Sequence, residues 1–152
     1  MKIFEFFLIK SLEKAKISAI LELNSILAEV LRFYMFIERQ LKTVIEAGSN
    51  FFPAILLTGP RQVGKTTFLR RMAEPERRYV TLDDVSVRTL AQEDPKGFIE
   101  KFAPPVLIDE IQYVPELLNY IKIVIDEQRF NDPEKAKGMY WLTGSQRFPL
   151  MK

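Results

Sequence analysis

Gly59-Pro60-Arg61-Gln62-Val63-Gly64-Lys65-Thr66 decides how this chain is read. The apolar run Ala54-Ile55-Leu56-Leu57-Thr58 leads into it, and a stretch with helical character follows over 65–73. A short apolar run ending at glycine is the pattern of a parallel strand buried on both faces. Two glycines, a lysine and a hydroxyl at fixed spacing, set between a strand and a helix, make a loop suited to phosphate. Consecutive backbone amides at a helix N-terminus wrap a dense negative charge, and the helix dipole favours it. Gly59 and Gly64 permit the sharp turn and the close approach that a side chain would block. Pro60 has no amide hydrogen, so donors are expected from Gln62, Val63 and Gly64 onward. Lys65 is expected to bridge the outer phosphates of a nucleoside triphosphate as a point charge. The Thr66 hydroxyl is expected to ligate Mg²⁺, and Thr67 to donate to an inner phosphate.

Outward from the loop, the pattern repeats. Residues 79–82 predict a second strand, and Asp83 or Asp84 can cap the helix that follows. Residues 94–102 predict a short helix entered through Pro95. Residues 105–109 predict a third strand, Pro115 opens a long helix to about 129, and residues 139–143 predict a fourth strand. Strands alternating with helices imply an α/β fold, a mostly parallel sheet with helices on both faces in three layers.

The third strand brings chemistry. Val106-Leu107-Ile108 ends in Asp109-Glu110. Beside a phosphate loop, an acid at a strand end falls next to the Mg²⁺ shell, the role expected of Asp109. Glu110 is expected to polarise a water for attack on the terminal phosphate. The chain has no histidine and no cysteine, so a carboxylate is the base available, and Cys/His zinc sites and thiol nucleophiles are excluded. The fourth strand is expected between the first and third, its end facing the gap between phosphate and Glu110. Thr143, Ser145 or Gln146 could orient the water there.

Upstream, residues 11–47 carry helical periodicity, with a wide apolar stripe through Ile17, Ile20, Leu27, Leu31, Tyr34, Leu41 and Ile45. A wide stripe favours packing on a globular core over a narrow coiled-coil seam. Asn24 and Glu38 fall on the stripe as candidate breaks between two helices, and Gly48-Ser49-Asn50 are expected to stop the helix. The expected organisation is an N-terminal helical extension over 1–50 and a phosphate-loop core over 51–152. The extension is the expected surface for a homo-oligomer or a protein partner.

The bulk numbers set bounds. At 152 residues, 47% hydrophobic and 28% charged, the chain suits a soluble domain with a real core. With 22 basic and 20 acidic residues the net charge is +2, which does not indicate nucleic acid. Arg70-Arg71 and Arg77-Arg78 read as solvated faces. No uncharged apolar run approaches the roughly 20 residues of a membrane span. The lack of cysteine fits a cytoplasmic protein.

Gly59–Thr67, 79–84, 93–102, 105–127 and 140–146 together resemble, in order and spacing, a group of prokaryotic AAA-type ATPases. The resemblance runs from about Ile37 to Met151. It implies ATP as ligand, with Gly59–Thr67 as Walker A, Asp109 and Glu110 as Walker B, and 143–146 like sensor 1. Full-length members add a fifth strand, a helical lid and a C-terminal domain of unknown function. Here the chain stops soon after the fourth strand. The resemblance therefore leaves four strands, an open edge on the first strand, and a site whose turnover depends on the missing parts. A module that binds nucleotide without turnover is the alternative. A small-molecule kinase is disfavoured, because Glu110 directly follows Asp109 and no arginine-rich lid is present.

Overall fold

The computed structural model describes residue 20, residues 22–32 and residues 40–145. The chain divides into two compact units, Met1–Leu41 and Lys42–Lys152.

In the first unit, residues 22–32 are helical throughout, so Asn24 does not break the helix. Asn is only mildly unfavourable in a helix interior, and here it lies between strong helix formers. Leu23, Leu27, Val30 and Leu31 of this helix are exposed. Glu38 and the stripe at Ile17 and Tyr34 lie outside the described residues.

The second unit opens with α1, helical over 42–51, and continues through β1 (Ala54–Gly59), α2 (Lys65–Met72) and β2 (Arg78–Thr81). Next come α3 (Val85–Glu93), α4 (Pro95–Lys101) and β3 (Val106–Asp109). A 3₁₀ turn at Ile111–Tyr113, α5 (Leu117–Asn131) and β4 (Tyr140–Ser145) complete it. The four strands form one parallel sheet in the order β1-β4-β3-β2. β4 lies between β1 and β3 as expected, and β1 is an edge among the described strands. Residue 54 of β1 pairs with residue 140 of β4, and residue 106 of β3 with the same residue 140. Three strands thus end side by side.

Period-two alternation divides the sheet into two faces. Val80, Val106, Ile108, Tyr140 and Leu142 join Ala91, Phe98, Ile99, Leu117, Ile121 and Ile125 of α3, α4 and α5 in the main core. Leu107 and Trp141 face the opposite way, toward the side where α2 buries Leu69. Burying each such side chain is worth about 2 kcal/mol, which offsets the chain entropy lost on folding. This is the expected α/β architecture with helices on both faces and a P-loop-like core.

Three local expectations are corrected. Gly48-Ser49-Asn50 do not end α1, which runs to residue 51. A Cβ on Gly48 would meet Ile55 Cδ1 at 3.5 Å, an ordinary van der Waals contact, so the end of α1 lies against the start of β1. Pro115 does not open α5 directly. α5 begins two residues later, at Leu117, and the Pro115 carbonyl accepts from the Leu118 amide in the turn that leads into it. Arg77 is not part of a solvated face. Its side chain is 1% exposed and clasps the half-exposed Glu74 at 2.7 Å, whereas Arg70, Arg71 and Arg78 are exposed as expected.

Candidate functional site

β1, β3 and β4 all end at one edge of the sheet, and the predicted residues gather there. Gly64 caps the N-terminus of α2 with φ 83°, a left-handed conformation that costs glycine little. A Cβ at Gly64 would meet nothing within 4 Å, so the loop is open to space on that side. Gln62 also has positive φ, at 62°. Two left-handed residues within three positions turn the chain sharply between β1 and α2. The first amides of α2 have no acceptor within the helix, as at any helix N-terminus. The Lys65 ammonium folds back over the loop and donates to the carbonyls of Gly59 at 3.1 Å and Pro60 at 2.7 Å.

Across the sheet edge, Thr66 Oγ1 donates to Asp109 Oδ1 at 2.6 Å, joining residues 43 apart in sequence. Asp109 is buried. Its carboxylate also accepts from the Thr143 hydroxyl on the same oxygen, and from the Tyr79 hydroxyl on Oδ2 at 3.2 Å. Three hydroxyl donors from β2, α2 and β4 hold this carboxylate, and a buried carboxylate needs such donors. Tyr79 responds in turn. Partial burial, and then the negative charge of Asp109, push its phenol above the usual tyrosine range, with Arg70 stacked 4.5 Å over the ring.

Glu110 adopts φ 57° and ψ 45°, left-handed and non-glycine. Such backbone costs roughly 1 kcal/mol or more and persists where the surroundings fix it. Here the Glu110 amide donates to Thr143 Oγ1 at 3.1 Å. Gln112 Nε2 donates to Glu110 Oε2, and Gln112 Oε1 accepts from the Ser145 amide at 3.2 Å. Ser145 pairs in register with Gly59, the first residue of the loop. Arg61 of the loop donates to the Tyr113 hydroxyl, and Arg88 stacks 4.8 Å over the Tyr113 ring.

The structure therefore brings Gly59, Gln62, Val63, Gly64, Lys65, Thr66, Thr67, Asp109, Glu110, Thr143 and Ser145 to one edge of the sheet. Thr143 is fully buried between Asp109 and the Glu110 amide, and Ser145 bonds to Gln112 through its backbone. Gln146 and Arg147 lie outside the described residues. Of the two candidate caps, Asp84 is the one that caps α3, accepting from the Ser86 and Val87 amides. Sequence reasoning missed Gln112, Tyr79 and Tyr113. No residue type announced them, and only the turn after Asp109 brings Gln112 beneath Glu110.

The donor set fits Mg²⁺. This ion keeps several waters and binds through one or two protein oxygens plus substrate phosphates, so Thr66 and Asp109 suffice. Among the described residues no group of three His, Cys, Asp or Glu is gathered to hold an ion alone. A groove of about 790 Å³ lies at the opposite edge, between Ser49, Arg77, Pro105 and Met139. Its charges are already paired, Arg77 with Glu74 and Lys137 with Glu134, so it is not taken for the site.

A family model described as an AAA domain matches residues 51–152. The chain belongs to this AAA domain family. It contains a nucleotide-binding domain of the AAA type. Among known proteins it is similar to an uncharacterised protein of Mycobacterium bovis and another of Mycobacterium tuberculosis. Each is 36% identical over 76 residues, 49% of this chain and 17% of the relative. The matched part thus spans about a sixth of those relatives. No solved structure matches significantly. Among the described residues no helix is long and apolar enough to cross a membrane.

Proposed function

We propose that the AAA domain binds ATP with Mg²⁺ in the loop Gly59–Thr67 and, in the whole protein, hydrolyses it. The observation that carries this reading is the bond from Thr66 to Asp109, beside an ammonium folded over the phosphate loop. It joins the loop to the acid of β3 at the edge where the strands end. Gly59 and the amides of Gln62, Val63, Gly64 and Thr67 cradle the phosphates as Walker A. Lys65 exchanges its two carbonyl partners for phosphate oxygens, a charge-assisted and stronger pairing. Thr66 and Asp109 hold Mg²⁺, which when bound neutralises phosphate charge.

In the hydrolytic step a water oxygen bonds to the terminal phosphorus as the bond to the bridging oxygen breaks. The Glu110 carboxylate takes the proton of that water, and the leaving diphosphate carries away the electron pair. Lys65 stabilises the negative charge that develops on the transferred group. Thr143 holds Asp109 and the Glu110 backbone in register. Ser145 marks the strand end next to the loop. Cytoplasmic location and self-association through the N-terminal helix are part of the same proposal, supported by the absence of cysteine and the exposed stripe.

Titration of ATP and Mg²⁺ into wild type and Lys65→Ala tests the binding step. Affinity is expected to fall by 10²-fold or more, about 2.7 kcal/mol. Equal affinities reject this loop as the site. For turnover, Glu110→Gln is expected to keep binding and lose phosphate release by roughly 10²- to 10⁴-fold. Undiminished release refutes the assigned base.

A further inference from the structure

We infer that Gln112 is the positioning residue for Glu110, a side-chain amide that sets the general base against the phosphate loop. The inference rests on the hydrolytic reading above and names what that reading lacks, the group that aims the carboxylate.

Glu110 is held at two points, and both lead to β4. Its backbone amide donates to Thr143 Oγ1 at 3.1 Å. Its carboxylate Oε2 accepts from Gln112 Nε2. The same Gln112 amide accepts from the Ser145 backbone at 3.2 Å through Oε1. Ser145 is the register partner of Gly59, where the loop begins. Gln112 thus measures the position of the Glu110 carboxylate from the strand that runs directly beside the loop.

The residue type matters because the job needs a donor and an acceptor on one short side chain. A carboxylate accepts only, and a backbone amide donates only. Glutamine supplies Nε2–H to the first and Oε1 to the second, and the opposite amide orientation would satisfy neither. Glutamate in its place would keep the bond from Ser145 and set a second negative charge against Glu110. Methionine would keep the length and lose both bonds. The backbone under Gln112 is fixed by Ile111, 0% exposed, and Val114, 2% exposed, on either side of it. The amide therefore stands on core rather than on a free loop. Oε2 is the oxygen that Gln112 engages, which fixes the direction of the Glu110 carboxylate. The left-handed backbone of Glu110 fits the same device, since strain persists where neighbouring bonds hold it.

The test compares wild type, Gln112→Met and Gln112→Glu in the full chain, by phosphate release from ATP, by thermal unfolding, and by hydrogen exchange of the Ser145 amide. A catalytic group displaced by about 1 Å loses on the order of 10²-fold in rate. Gln112→Met is expected to lose about that much kcat with KM unchanged and the unfolding midpoint near wild type, and to expose Ser145 to fast exchange. Gln112→Glu is expected to lose kcat as well while Ser145 stays protected, because only the bond to Glu110 is gone. Wild-type or increased kcat in Gln112→Met overturns the inference, as does a loss confined to KM. A wild type that binds ATP and releases no phosphate removes the hydrolytic reading itself, and the role of Gln112 with it.

Discussion

The two edges of the sheet bury polar groups in different ways. At the edge where the strands begin, the polar groups bond mostly within the protein, with the buried Arg77 Nη1 the exception among the described residues. Arg77 forms two bonds with Glu74, donates to the Gly138 carbonyl at 2.9 Å and lies 4.1 Å over the Trp141 ring. The indole of Trp141 donates to Ser49 at 2.9 Å, and the Gly138 amide donates to the Phe52 carbonyl at 2.8 Å. A Cβ on Gly138 would stand 2.7 Å from Ser49 Oγ, and its φ is 62°, so only glycine fits there. These bonds tie α1, the entry to β1, the end of α2 and the entry to β4 into one knot. At the edge where the strands end, the bonds run between hydroxyls, carboxylates and a lysine that a ligand can displace. One edge holds the fold together, and the other keeps its polar groups ready for exchange.

Removing Arg77 should strike the first edge hardest. Arg77→Ala leaves Glu74, Gly138 and the Trp141 ring without their partner. Glu74 is half exposed and recovers water, so the ion pair itself contributes modestly. The Arg77 guanidinium holds the Glu74 carboxyl below the usual range, a sign of pairing rather than of large stabilisation. The lost stacking and the cavity bring the expected cost to about 2–3 kcal/mol, read as a lower midpoint in urea. ATP affinity of the folded variant should match wild type. An unchanged midpoint, or lost affinity without lost stability, would erase the contrast between the edges.

Thr143→Val probes the other edge with a change of equal volume. The buried hydroxyl donates to Asp109 and accepts from the Glu110 amide. Valine leaves that amide without its acceptor, an expected cost of about 1–3 kcal/mol. Here stability and function should fall together. Turnover should drop with ATP binding retained, because Glu110 loses its anchor while the loop amides remain. A variant that loses stability alone would place Thr143 with the structural edge instead.

How much of this was legible follows from where each signal lies. The loop spacing, Asp109 and the strand-helix alternation are local patterns, and each predicted its element within a few residues. Gly48 and Gly138 show why the rest was not. A glycine in sequence suggests a stop, yet Gly48 lies inside α1, which ends three residues later. Arg77 and Arg78 look alike as a basic pair, but only Arg77 meets Trp141, 64 positions later by residue number. Gln112 is legible only once the left-handed turn at Glu110 is known. Contacts made across the fold, not residue types, decided these cases.

The smallest expected effect concerns a cap that belongs to neither edge's network. Asp84 accepts from the Ser86 and Val87 amides at 2.8 and 3.2 Å at the start of α3. The Ser86 side chain, then the backbone amides, hold its carboxyl below its ordinary 3.8. A carboxyl lowered by folding adds stability above its ordinary value and loses it as pH falls through the lowered one. Asp84→Ala should therefore melt slightly below wild type at pH 7, and the gap should close well below pH 3.8. Asp84→Asn caps nearly as well without a charge to titrate. It should track wild type at neutral pH and lack this part of the acid dependence. If all three proteins show the same acid profile, the charge on Asp84 adds nothing to α3, and the hydrogen bonds of the cap act without it.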